Sequence, residues 1–166
     1  MIAIKITKQK NFMSKLLTTD LFDLFLLEEA EIETYNTFRI DGRIHREYYK
    51  DSFFDESQIP AEEFSRWGKL RPICLELIKG KVTPLSFRFV LHLDNKSKEK
   101  LISQSGISFS PDQISFGLNI SFSSGEVVLT TGISTNVFTL DKSAEKAWDQ
   151  YVPGFMESNG ISTEIL

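Results

Sequence analysis

The chain has 166 residues, 41% apolar and 25% charged, with a formal net charge of −4. That length fits one domain, residues 1–166, with a single core that needs neither disulfides nor metal. The acidic balance argues against a dedicated nucleic-acid binder, which carries a basic excess, while leaving room for a local basic face.

Met1 to Ile6 is apolar but too short for the apolar core of a signal peptide, and Lys5, Lys8 and Lys10 follow at once. Residues 2–6 alternate as a short strand. Thr7 then caps a predicted helix to about Leu17, with Phe12, Met13, Leu16 and Leu17 on one face. From Leu26 to Ile40, Leu26, Ala30, Ile32, Phe38 and Ile40 share one parity, and Glu29, Glu31, Glu33, Thr37 and Arg39 share the other. Asp41-Gly42 reads as a hairpin turn, with a return strand from Arg43 to about Tyr49. Pro60 suits the first position of a helix that Gly68 would end, and a second helix runs from about Pro72 to Lys79. Cys74, the only cysteine, lies in the apolar pattern of that second helix and reads as a small buried hydrophobe. A lone cysteine also fits a reducing compartment.

Residues 85–93 alternate cleanly as a strand and place His92 on its solvent-facing parity. Asn95 is the expected cap of a short helix before Gly106. Residues 114–122 form another alternating strand, and Ser124-Gly125 turns the chain into a partner at 126–133. A further strand is expected at Asn136–Leu140. Asp141 then caps a last helix with Ala144, Ala147, Trp148, Tyr151, Val152 and Phe155 on its apolar side, interrupted near Pro153. Several hairpins with helices in blocks predict an α+β fold: an antiparallel sheet with helices packed on it, one of them C-terminal. The 14 phenylalanines would fill the faces of that sheet.

No spacing typical of a metal, phosphate-loop or nucleophile-elbow motif is present, so no catalytic residue, metal ligand or cofactor is assigned. Thr130 to Thr135 is hydroxyl-rich and reads as a bend between strands. Asp20, Asp23, Glu28, Glu29, Glu31 and Glu33 concentrate negative charge early in the chain. Between Arg66 and Arg88 there are six cations against one acid, Glu76, and residues 43–50 interleave bases with aromatics. Arg43, His45, Arg46, Tyr48, Tyr49, Lys69 and Arg71 are therefore the candidate binding residues: cations neutralise phosphates and aromatics stack on unpaired bases.

The order of motifs also resembles a known family. Phe22-Asp23-x-Phe25 with Leu26-Leu27-x-Glu29-Ala30 is followed by Asn36-Thr37-Phe38 and Ile40-Asp41-Gly42. Thr130-Thr131-Gly132 then precedes Phe138-Thr139-Leu140-Asp141-Lys142-Ser143 and Trp148-Asp149. This is similar to an uncharacterised bacterial domain-of-unknown-function family from Gram-positive anaerobes. The resemblance implies a cytoplasmic, single-domain protein and transfers no catalytic residue.

Three readings of function follow. The first is a non-enzymatic binding or interaction module with a protein partner or self-association, because the charge is segregated. The second is nucleic-acid binding by the basic and aromatic residues. The third is a small hydrolytic or metal-assisted enzyme using His45 or His92 with Asp41, Asp94 or the glutamate strand. None of the three involves a membrane, since no apolar run approaches the ~18 residues of a span.

Overall fold

A computed structural model describes all 166 residues. The elements are β1 (Ala3–Ile6), α1 (Gln9–Thr18), β2 (Phe25–Glu33), β3 (Thr37–Asp41), β4 (Ser65–Arg66), α2 (Trp67–Ile78), β5 (Ser86–Leu93), α3 (Asn95–Ser105), β6 (Ile114–Ser123), β7 (Glu126–Thr135), α4 (Ser143–Ser158) and β8 (Thr163–Ile165). One antiparallel sheet runs β3-β2-β5-β6-β7-β1-β8, and β4 pairs with β2 beside β3. The fold is α+β with a C-terminal helix packed on the sheet, as the hairpin-rich pattern predicts.

Alternation sets the two faces of the sheet. Ile4, Leu129, Ile120, Phe89 and Ala30 lie in register across β1, β7, β6, β5 and β2, and all are buried. Phe12 and Leu16 of α1, Trp67 and Cys74 of α2, and Trp148 and Val152 of α4 close over this face in one core cluster. Two buried indoles are satisfied by backbone: Trp67 Nε1 donates to the Leu16 carbonyl (3.0 Å) and Trp148 Nε1 to the Gly117 carbonyl (2.7 Å). The opposite face carries mainly polar side chains, among them Ser86, Arg88, His92, Ser115, Asn119 and Ser121. Its glutamates are partnered across strands: Glu31 with Arg39 (2.9 Å), Glu29 with Arg88 (3.3 Å) and Glu33 with the Ser86 hydroxyl (2.9 Å).

Several local expectations give way to tertiary structure. The β2–β3 turn falls at residues 34–36, so Asp41-Gly42 is not the hairpin. Gly42 instead lies against β2, where a Cβ would overlap the Leu27 carbonyl. The expected return strand is a single bridge, Arg43 to Phe64, followed by a 3-10 turn at Arg46–Lys50. No helix starts at Pro60. Gly68, expected as a stop, lies in the first turn of α2, packed against the Asp23 carboxylate.

Asp94, not Asn95, caps α3 by accepting from the Ser97 N–H (2.8 Å). Strand β7 continues through Gly132 to Thr135, and residues 136–140 form no strand. Asp141 accepts from the Ser143 N–H (2.9 Å), one residue before the cap position of α4, and α4 runs on through Pro153.

Parity also breaks once. Leu27 pairs with Leu91 and Glu29 with Val90, so Glu28 is an extra residue in β2, a bulge. Leu26 consequently faces away from Ala30 and Ile32, opposite His92.

Candidate functional site

The bulge positions the site. The Glu28 carbonyl accepts from the Gly42 N–H (2.8 Å), and the Gly42 carbonyl from the Ser65 N–H (2.8 Å), so Gly42 fastens the bulge from the sheet edge. The extra residue aims the Glu28 carboxylate along the polar face at His92 of β5. His92 Nε2 bonds to Glu28 Oε2, and His92 Nδ1 lies 2.8 Å from the Ser115 hydroxyl of β6. A carboxylate only accepts, so Glu28 assigns the proton to Nε2 in the neutral imidazole. Nδ1 is then left to accept from Ser115.

The imidazole is held on one face as well. The Phe64 ring stacks on it with centroids 5.5 Å apart and planes 11° from parallel. The Arg43 guanidinium lies 5.4 Å from the Phe64 centroid and pairs with Glu63 (2.7 Å). Gly117, opposite His92 in the ladder, keeps the neighbouring surface low; a Cβ there would sit 3.9 Å from the ring.

Ser115 and His92 line a cleft of about 490 Å³ at one end of the polar face, and Glu28 reaches His92 from outside its lining. Its walls are the 62–64 loop, α3, the 3-10 turn Pro111–Gln113, and the ends of β5, β6 and β7. Only four of its 16 lining residues are hydrophobic. Lys98 reaches in from α3, and its Nζ donates to the Ile114 carbonyl (3.1 Å), next to Ser115. Burial lowers the Lys98 pKa against the raising pull of Glu62, Asp112 and Glu99. At the start of α3, burial disfavours the Asp94 carboxylate. The Arg66 guanidinium (2.8 Å) and the Ser97 bonds outweigh that and hold its pKa below the ordinary value. No three His, Cys, Asp or Glu side chains converge as a metal ion would require.

Five of the seven residues singled out as a binding set have polar partners within the chain. Arg46 donates to the Pro60 carbonyl (2.8 Å), and Lys69 to the hydroxyl of the buried Tyr49 (2.7 Å). Arg71 pairs with Asp23 (3.0 Å), and Arg43 belongs to the Glu63–Phe64 wall. His45 and Tyr48 remain exposed on the 3-10 turn. The sequence pairs His92 with the glutamate strand in general, without singling out Glu28. It does not associate Ser115, Lys98 or Phe64 with them, since no spacing links residues from β2, β5, β6, α3 and a loop.

The motifs noted in the sequence also meet in space. The Thr131 hydroxyl donates to the Asp149 carboxylate, which accepts from the chain's amino terminus as well (2.8 Å). Asp23 ties Arg71 to the start of α2. A family of unknown function, DUF5721, matches residues 15–164. The chain belongs to that family. No curated protein and no solved structure matches the chain. The match spans all the site's residues, from Glu28 to Ser115, and the family's description assigns none of them a role.

Proposed function

We propose that this DUF5721 protein is a binding module that takes a small polar ligand in the cleft beside His92. The observation that carries this reading is the cleft itself: a concavity on the polar sheet face, lined mostly by side chains that donate or accept hydrogen bonds. Glu99 and Asp112 offer acceptors, Lys98 a donor, and Gln113 and Asn136 both kinds. Arg43 neutralises Glu63, while Glu62, Glu99 and Asp112 outnumber Lys98 along the lining, which suits a neutral or cationic molecule.

A thermal-shift screen of small polar metabolites tests it. A true ligand raises Tm of the wild type but not of Ser134→Trp, where an exposed β7 side chain is enlarged to fill the cleft. If no compound shifts the wild type, or if shifts persist in Ser134→Trp, the reading fails.

A second reading is favoured by the loop after β7. Phe138 is 91% exposed and Leu140 83%, which leaves two large apolar side chains, two positions apart in the chain, in solvent. A protein partner or a second copy would cover them. Sedimentation of the wild type against Phe138→Ser/Leu140→Ser checks self-association, with a loss of dimer expected in the variant. The basic residues support nucleic-acid binding less, because phosphates would have to displace partners the chain already supplies. A cytoplasmic protein of a Gram-positive anaerobe is the setting proposed for either role.

A further inference from the structure

We infer that Ser115 is a nucleophile for acyl transfer, with His92 as its base and Glu28 as the residue that positions and polarises the imidazole. This deepens the cleft reading: it rests on the same cavity and assigns chemistry to the molecule held there, an ester, thioester or activated amide.

The geometry meets the requirements of an activated alcohol. A serine hydroxyl attacks a carbonyl only if a base takes its proton as the bond forms, and the base must be within hydrogen-bond reach. Ser115 Oγ is 2.8 Å from His92 Nδ1. The base in turn needs an orienting group on its other nitrogen, which Glu28 supplies. The two nitrogens are used in the opposite sense to the chymotrypsin triad, but either ring nitrogen of imidazole can act as the base.

The His92 side chain is only 18% exposed, yet its surroundings do more than satisfy its two nitrogens. Here a ladder irregularity aims the carboxylate, Gly42 fastens it, and Phe64 fixes the plane of the ring. Lys98, whose Nζ is tethered to the Ile114 carbonyl beside Ser115 and partly desolvated, is the one Lys or Arg that lines the cleft and so the cation available to an oxyanion formed there.

The step balances without a further reactant. Ser115 Oγ bonds to the carbonyl carbon while its proton passes to His92 Nδ1. The tetrahedral intermediate collapses, the bond to the leaving group breaks, and His92 returns the proton to that group. Water, deprotonated by His92, then attacks the acyl-serine ester. The acid is released, and Ser115 recovers its proton.

A fluorophosphonate probe tests the nucleophile without knowledge of the natural substrate. Attack forms an Oγ–P bond and expels fluoride. We expect one adduct, mapped by mass spectrometry to the peptide containing Ser115. It should be absent from Ser115→Ala and slowed at least tenfold in His92→Gln. Glu28→Gln should lower the maximal labelling rate while leaving half-saturation by the probe unchanged, a split that general loosening of the site would not give.

Should Ser115→Ala fold poorly, Ser115→Cys replaces it. Its thiol should be alkylated by iodoacetamide at least tenfold faster than in Ser115→Cys/His92→Gln, with Cys74 silent because it is fully buried. No adduct in the wild type, an adduct elsewhere, or a rate indifferent to His92 overturns the inference. Ligand shifts without labelling would leave the binding module standing and remove the nucleophile. Labelling without any ligand shift blocked by Ser134→Trp would do the reverse.

Discussion

Gly42 shows how one residue without a side chain sets up a site it does not enter. Its backbone is pressed against the Leu27 carbonyl and bonded to Glu28, so any Cβ forces β2 and the 42–43 segment apart. Its role is close approach, which the absence of Cβ permits, rather than turn chemistry. Gly42→Ala should therefore cost about 3 kcal/mol, the range of overpacking in a close-packed region. Gly132→Ala, in β7 where a Cβ meets nothing within 4 Å, should change stability by less than about 0.5 kcal/mol. Urea unfolding of the two variants checks the contrast, and equal losses would refute it.

Trp148 is a second case. Its indole is fully buried and its N–H holds the Gly117 carbonyl under the site. Trp148→Phe keeps an aromatic ring but leaves that carbonyl without the indole donor. Gly117 keeps its place in the ladder between His92 and Gly132, so a loss of about 1 kcal/mol, that of one hydrogen bond, is expected from the same urea midpoints.

Among the elements, α3 is governed by its cap. Asp94 accepts the Ser97 N–H, closes an ion pair with Arg66 of β4, and so ties the helix start to the sheet edge beside the cleft. Its carboxyl pKa is lower in the folded chain than in the unfolded one. The stabilisation is therefore complete above the ordinary carboxylate range near pH 4 and fades as pH falls through the lowered folded value. Asp94→Asn keeps a capping oxygen but removes this charge. Stability measured between pH 7 and pH 2 should fall less steeply in Asp94→Asn than in the wild type, and parallel curves would show that Asp94 does not contribute to the acid limb. At pH 7, Asp94→Ala should cost about 2 kcal/mol, the upper part of the range for a lost cap.

At the scale of the whole molecule, one sheet separates two kinds of chemistry. Helices α1, α2 and α4 seal the Phe-rich face, and the other face presents hydroxyls, amides and ion pairs to solvent. Cys74 belongs to the sealed side, and burial pushes its thiol up to about 12. A thiol reagent such as DTNB should therefore leave it unmodified in the native chain and react with one equivalent after denaturation, with native-state labelling limited by opening of the core. Fast labelling under native conditions would mean that α2 opens separately. The polar side has no comparable cover, which is why the cleft at its end is accessible.

Strands β5, β6 and β7, the Ser124-Gly125 turn and the apolar side of α4 were legible without any structure, and so were the buried Cys74 and the solvent-facing His92. Each depends on neighbours along the chain: alternation, helical periodicity, or two residues with φ of 52° and 78° at a turn. The functional reading was less accessible. Arg43, Arg46, Lys69 and Arg71 meet carboxylates, carbonyls and a tyrosine hydroxyl once the 43–71 segment folds, while His45 and Tyr48 stay exposed. Gly68 and Pro60 misplace the start of α2, because Trp67, anchored in the core, fixes where that helix begins and outweighs local helix signals.

By itself the sequence determined the class of fold, the two-faced sheet and most of its strands, because periodicity is a local property that burial converts directly into structure. Only the tertiary structure decided the bulge at Glu28, the close approach of Gly42 and the meeting of Glu28, His92 and Ser115. Those three residues lie 64 and 23 positions apart in sequence. Their contact depends on strand order and on a one-residue slip in register, and both are set by how β2, β5 and β6 pair rather than by any residue's neighbours.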